Sequence, residues 1–146
     1  MATRPQNFEN HTRYFPRFHF MAAPLLALFL LYSLYALVRA PSLATAAGVV
    51  LAAGVNAALY ATRTMILSVQ DRVIRLEMTL RLERLLGAAA AADALASLTV
   101  GKLVALRFAS DAELPALITR VRSNELATGR EVKRAIREWQ PDHLRA

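Results

Sequence analysis

The sequence predicts an all-α membrane protein: a two-helix transmembrane hairpin whose long second helix extends into a small cytoplasmic helical domain. Two long apolar runs without a charge, at 20–38 and 43–62, predict the hairpin. An amphipathic helical pattern continues from the second run with no proline before residue 87, and it predicts the extension. With 55% hydrophobic residues the chain is too apolar for a disordered protein. The absence of cysteine excludes disulfides and thiolate chemistry.

The first apolar run reads FMAAPLLALFLLYSLYALV and lies between Arg17 and Arg39. A bilayer core about 30 Å thick requires roughly 20 helical residues at about 1.5 Å each, so the run fits one span. A cleaved signal peptide fits less well, because its apolar region is only about 7–15 residues long.

The second run reads LATAAGVVLAAGVNAALYAT, and the short link at 39–42 makes the two helices antiparallel neighbours. Small residues recur every four positions, which is typical of packing faces in membranes, although an Ala-rich composition alone also gives such a run. Asn56 is strongly polar for a span, and we interpret it as a helix contact rather than as part of a transport pathway. The predicted packing positions are Ala44, Gly48, Ala52 and Asn56.

The arginines flanking the spans predict the orientation. Residues 1–19 contain three arginines, the hairpin tip contains only Arg39, and residues 63–84 contain five. The positive-inside rule therefore places both termini in the cytoplasm, in a multi-pass membrane protein. The domains expected are a segment at 1–19, the hairpin at 20–62 and a cytoplasmic domain at 63–146.

The segment at 1–19 mixes aromatic and basic residues next to the first span. Rings of this kind lie among lipid headgroups and guanidinium groups bind their phosphates, so the segment predicts docking to anionic lipid or to a partner subunit. The two histidines are eight positions apart without an acidic cluster, which favours interfacial residues over metal or haem ligands. We expect no cofactor. The predicted docking residues are Phe8, His11, Arg13, Tyr14, Phe15, Arg17, Phe18 and His19.

Beyond Arg63 the apolar residues follow 3-4-3-4 spacing, the pattern of a coiled-coil seam. Two heptads are fewer than the three to four that identify a coiled coil, so packing within the chain is favoured over contact with another copy or subunit. One helix of 44 residues, Leu43–Leu86, is expected to end at Gly87. The seam residues are Ile66, Val69, Val73, Leu76 and Leu80.

Short helices are predicted in the remainder of the chain. Thr99 begins one of them, and Ser110–Glu113 and Thr128–Glu131 form capping boxes that begin two more. The last helix is expected to reach Trp139 and to stop before Pro141, and Arg107 is expected to pair with Asp111. The charge balance does not favour nucleic acid as a partner. The predicted core residues are Phe108, Leu114, Ile118, Ile136 and Trp139.

The sequence contains neither a phosphate-binding loop nor an HExxH motif. We therefore predict no catalytic or metal-binding residues and no enzyme activity. The expected function is a non-catalytic accessory or scaffolding subunit of a larger membrane assembly, for which respiratory and photosynthetic complexes are natural hosts. The alternatives are a stand-alone homo-oligomeric organiser or sensor, and a membrane enzyme that uses His11 or His19 with a cofactor.

A family resemblance that covers nearly the whole chain rests on three stretches. They are NFENHTRYFPRFHF at 7–20, ALRFASDAELP at 105–115 and VKRAIREWQPD at 132–142. In them the sequence resembles an uncharacterised bacterial family of membrane proteins with two spans. The resemblance implies the fold and transfers no catalytic residue. Its matching positions, interpreted as fold and docking positions, are Asn10, His11, Pro16, His19, Arg107, Phe108, Asp111, Leu114, Pro115, Ile136, Trp139 and Asp142.

Overall fold

The computed structural model describes residues 5–11 and 14–142, and within those ranges it is helical apart from turns, connecting segments and one isolated β-bridge. The all-helical prediction is confirmed. In chain order the elements are a π-helical turn at Arg17–Ala22, α1 (Ala23–Arg39), α2 (Leu43–Leu86), α3 (Ala88–Ser97), α4 (Val100–Leu106), α5 (Leu114–Arg122) and α6 (Gly129–Ala135).

The described residues form two compact units. Residues 14–68 form the first, which we call the hairpin unit. Residues 5–11 and 69–142 form the second, which we call the helical domain. The segment before the first span is therefore divided, because residues 5–11 fold with the helical domain while 14–19 belong with the hairpin.

The hairpin unit contains α1 and the first part of α2. Two helices, Arg17–Arg39 and Leu43–Leu86, are long and apolar enough to cross a membrane by length and composition. Pro24 stands in the first turn of α1, where its missing N–H costs little. Ser42 and Thr45 begin α2 with a reciprocal cap, in which each backbone N–H donates to the other's hydroxyl at 2.9 and 3.1 Å. The prediction of one helix over Leu43–Leu86 is confirmed.

The helical domain has one apolar core, to which the end of α2 contributes Ile74, Met78 and Leu82. Phe108, Leu114, Ile118 and Ile136 lie in this core, and Trp139 packs against it. The largest side chains that are completely buried come from α2, α4, α5, α6 and the turn after α4, so the short helices after Gly87 depend on their shared core rather than on propensity.

The helix ends follow the sequence signals. Gly87 has φ +81°, a conformation that favours glycine, and it separates α2 from α3. The Thr99 hydroxyl accepts from the Lys102 N–H and begins α4. Thr128 and Glu131 form the predicted capping box of α6. Ser110 and Glu113 also exchange hydrogen bonds, but they enclose a turn, and α5 begins after it at Leu114 without a side-chain cap. The predicted caps of α4 and α6 are therefore confirmed, whereas the Ser110–Glu113 pair does not cap α5 as predicted.

The last helix is shorter than predicted. It ends at Ala135, and Ile136 is extended. Tertiary acceptors take the backbone N–H groups that a longer helix would use: the Glu113 carboxylate accepts from Arg137 and Glu138 at 3.1 and 3.2 Å. The Phe108 carbonyl accepts from the Gln140 N–H at 2.7 Å. The prediction of a helix to Trp139 is wrong because these contacts draw the chain out of helical geometry.

Candidate functional site

The three stretches that carry the resemblance meet in the helical domain. His11 lies with its ring centroid 6.1 Å from that of Phe108 and 5.7 Å from that of Trp139. Phe108 and Trp139 are 5.1 Å apart and tilted by 34°. Phe108 is fully buried, and the ring separations are those of favourable aromatic pairs. We call His11, Phe108 and Trp139 the His11 cluster.

Hydrogen bonds orient the His11 ring at both nitrogens. Nδ1 lies 2.6 Å from the Phe8 carbonyl oxygen, and Nε2 lies 3.1 Å from the Lys133 ammonium nitrogen. An ammonium group only donates, so Nε2 accepts from Lys133 and Nδ1 carries the proton that it donates to Phe8. Both nitrogens are thereby engaged by this chain's own groups.

Cations lie against the aromatic faces of the cluster. The Arg107 guanidinium is 4.7 Å and the Lys133 ammonium 5.7 Å from the Phe108 ring centroid, within the range of cation–π attraction. Arg107 also pairs with Asp142 at 3.1 Å, and the Asp142 N–H donates to the Gln6 side-chain oxygen at 2.8 Å. The prediction that Arg107 pairs with Asp111 is wrong, because Arg107 pairs with the Asp142 carboxylate of the third stretch.

Asp111 instead binds α2 through Arg81. The Arg81 Nε donates to the Asp111 carboxylate at 2.6 Å, and its Nη1 and Nη2 donate to the carbonyls of Arg107 and Ala109 at 3.2 and 2.6 Å. Only 13% of the Arg81 side chain is exposed. Arg84 adds a second, exposed contact to Asp111 at 3.2 Å. The planar guanidinium therefore holds the turn at 107–111 against α2 at three points.

The pKa shifts resolved in the helical domain belong to helix ends. The backbone N–H of Thr128 lowers the pKa of Glu131 by hydrogen bonding to the carboxylate, in the cap of α6. The Arg120 side chain lowers the pKa of Glu125 by donating to it at 2.9 and 2.7 Å, and the pKa of Arg120 is raised in return. The two contacts that cause these shifts, Thr128–Glu131 and Arg120–Glu125, hold local structure at the surface.

The apolar seam of α2 is exposed. Its members in the helical domain, Val69, Val73, Leu76 and Leu80, are 49–60% exposed, and Ile66 in the hairpin unit is also exposed. The helical domain packs instead on Ile74, Met78 and Leu82. The sequence favoured packing of the seam within the chain, and the structure contradicts this. We call Val69, Val73, Leu76 and Leu80 the outer seam.

The docking residues predicted near the first span are divided between the units. In the helical domain, Phe8 stacks on His11 at 5.8 Å and faces the Arg134 guanidinium at 5.2 Å. In the hairpin unit, Tyr14, Phe15 and Arg17 are exposed, and Phe18 and His19 are half-buried. Arg13 lies outside the described residues. Docking by these side chains stays a prediction.

A small apolar groove of about 270 Å³ lies in the hairpin unit. Phe18 forms one wall, and the Arg63 guanidinium lies 5.5 Å above its ring. Leu59 and Thr62 line the groove just before Arg63. A positively charged side chain thus lines an apolar groove, at the end of the second apolar run.

The predicted packing positions of the second apolar run differ in their surroundings. The Asn56 side-chain amide donates to the Leu26 carbonyl of α1 at 3.0 Å and to the Ala52 carbonyl at 2.8 Å. Ala52 is completely buried, whereas Ala44 is exposed. A Cβ added at Gly48 would meet no described atom within 4 Å. Close helix contact is therefore concentrated at Ala52 and Asn56.

Among residues 5–11 and 14–142, no three His, Cys, Asp or Glu side chains come together as a metal site requires. The family described as "Family of unknown function (DUF6526)" matches the chain over residues 1–146. The chain belongs to this family. No curated protein and no solved structure is significantly similar to it.

Sequence reasoning missed three important residues of this DUF6526 member: Arg81, Glu113 as a tertiary acceptor, and Lys133. Arg81 follows the seam residue Leu80 and therefore resembled a solvated flanking charge. It lies between Met78 and Leu82 on the face that is buried, and a charge there requires a partner. That signal is available only once the buried face of α2 is known.

Proposed function

We propose that this protein is a non-catalytic accessory or scaffolding subunit of a larger assembly in the bacterial inner membrane. The outer seam is the observation that carries the proposal. Four large aliphatic side chains stand half-exposed on one face of α2, beyond the second apolar run. Exposed apolar surface of this kind marks a site of contact with another protein chain, whether that chain is a different subunit or a second copy of this one.

The His11 cluster supports a structural role for the helical domain. Its polar groups bind the chain to itself: His11 to Phe8 and Lys133, and Arg107 to Asp142. The cluster joins the three stretches to one another, and the Arg81 contacts join the turn at 107–111 to α2. A domain whose polar groups bind one another in this way suits a scaffold that positions a docking face.

In the proposed topology both apolar runs cross the membrane, and both termini lie in the cytoplasm. The five arginines after the second run, against one at the hairpin tip, support this orientation. Anionic lipid is the proposed headgroup partner. Arg63 lines an apolar groove, so that its charge can bind a phosphate while the groove's apolar lining suits an acyl chain.

Purification of the native protein in mild detergent, followed by mass spectrometry, tests the proposal. We expect at least one other membrane protein in a fixed ratio to this chain. A lone monomer after gentle solubilisation would contradict the scaffolding role. Recovery of a homo-oligomer without other subunits would favour the stand-alone organiser instead.

Reporter fusions test the topology. A reporter that is active only in the cytoplasm should be active after Ala146 and inactive when inserted at Pro41 in the hairpin tip. Activity of a periplasm-specific reporter at Ala146 would overturn the orientation.

A further inference from the structure

The outer seam and the buried stripe lie on different sides of α2. At about 100° per residue, the seam centred on Val73 and Leu76 is roughly 170° from the stripe of Ile74, Met78 and Leu82. The stripe is at most 3% exposed and packs into the helical domain, while the seam is 49–60% exposed. The domain therefore covers one side of α2 and leaves the other side open to a partner helix.

We propose that the outer seam binds a second copy of this chain, as a short parallel coiled coil. The charges beside the seam support this partner. With Val73 and Leu80 at a positions and Val69 and Leu76 at d positions, Arg72 takes a g position and Glu77 the following e position. In a parallel pair each g residue faces the e residue of the next heptad in the other helix. Arg72 of each copy thus meets Glu77 of the other, twice by symmetry.

The antiparallel arrangement lacks this complementarity. It aligns g with g and e with e, so that Arg72 and Glu77 do not meet. The remaining flanking positions, Gln70 at e and Thr79 at g, are uncharged and oppose neither arrangement. Charge pairing at e and g positions sets partner choice and orientation in coiled coils, and here it selects two identical helices in parallel.

Membrane insertion favours the same geometry, and this step rests on the proposed function. Copies inserted with the same topology present α2 in the same direction, so they meet in parallel. Anchoring also confines both helices to one layer, which raises their effective concentration. A seam of four apolar positions is then sufficient, although it is shorter than a free coiled coil requires.

Cysteine crosslinking tests the dimer, because the natural chain contains no cysteine. Val69→Cys and Leu80→Cys place single thiols at the two ends of the outer seam. Arg75→Cys is the matched control, an exposed position on the same helix that faces away from the seam. Isolated membranes are oxidised with copper–phenanthroline, and the disulfide-linked dimer is measured on non-reducing gels.

We expect dimer from both seam variants and several-fold less from Arg75→Cys. Failure of either seam variant to crosslink would overturn the parallel arrangement, because an antiparallel pair keeps identical end positions apart. Equal crosslinking by Arg75→Cys would overturn the seam as the interface.

A charge exchange tests the register. In the Val69→Cys background, Arg72→Glu is expected to lower the dimer yield roughly three- to tenfold, because two attractive pairs become repulsive. Adding Glu77→Arg should restore the yield, and no restoration would overturn the proposed pairing.

Crosslinking reports on the seam whether or not other subunits are found. Crosslinks only to a different protein would overturn this inference and leave the scaffolding proposal standing.

Discussion

Replacing Arg81 with alanine should destabilise the helical domain strongly. The substitution removes three hydrogen bonds, to the Asp111 carboxylate and to the carbonyls of Arg107 and Ala109. Removing one partner of a buried ion pair costs about 3–5 kcal/mol. Asp111 is 42% exposed and regains water, so we expect the lower end of that range, about 3 kcal/mol.

Arg84→Ala provides the matched control. Arg84 contacts the same carboxylate from the same helix, but it is 71% exposed and makes one hydrogen bond at 3.2 Å. Exposed pairs contribute about 0–1 kcal/mol, so the loss should be at most about 1 kcal/mol. Arg81→Lys keeps the charge but lacks the planar fork, and it should recover less than half of the loss.

Equilibrium unfolding by denaturant in mild detergent measures these differences. Trp139 is the only tryptophan of the chain and lies in the His11 cluster, so its fluorescence reports on the helical domain. If Arg81→Ala lowered the free energy of unfolding no more than Arg84→Ala does, the turn at 107–111 would be held by other contacts, and the assigned role of Arg81 would be refuted.

Three further predictions concern a cap, the hairpin and the core. Because the pKa of Glu131 is lowered, its carboxylate stabilises the fold above the ordinary glutamate pKa, and this stabilisation is lost as the pH falls through the lowered pKa. Glu131→Gln should therefore flatten the acidic part of the curve of melting temperature against pH. An unchanged curve would contradict this prediction. Asn56→Ala should destabilise the hairpin in detergent by about 1 kcal/mol, and a change near zero on thermal melting would show that its bond to α1 contributes nothing. Phe108→Ala should lower the free energy of unfolding, followed by Trp139 fluorescence, by about 3–5 kcal/mol. Val100→Ala, at an exposed position of the same helical domain, should lower it by less than about 1 kcal/mol, and equal losses would contradict the core assignment.

The helices that depend on local signals were predictable. The absence of proline between residues 43 and 86 and the glycine at 87 determine α2, and a reciprocal Thr128–Glu131 pair marks the start of α6. These signals act over a few residues, so a single sequence contains them. Boundaries that depend on tertiary contact were not predictable. The end of α6 is one example, since Glu113 captures its next N–H groups from 24 residues away.

The buried face of α2 was the main error. The helix has two apolar stripes, and the regular 3-4-3-4 spacing favours the one at Val73 and Leu76. Burial is decided by where the short helices dock, and they dock on Ile74 and Met78 beside Arg81. Spacing alone cannot choose between two apolar stripes, because both satisfy the helical period.

The bond between Gln6 and Asp142 has a consequence for biosynthesis. Its partners are 136 residues apart in the chain, and everything between them, including both apolar helices, is translated first. Residues 5–11 therefore cannot form their tertiary contacts until the stretch around Trp139 has left the ribosome, and Phe8 and His11 stay exposed until then. A product terminated before Trp139 would keep both apolar helices and leave these rings exposed to the cell's quality-control proteases.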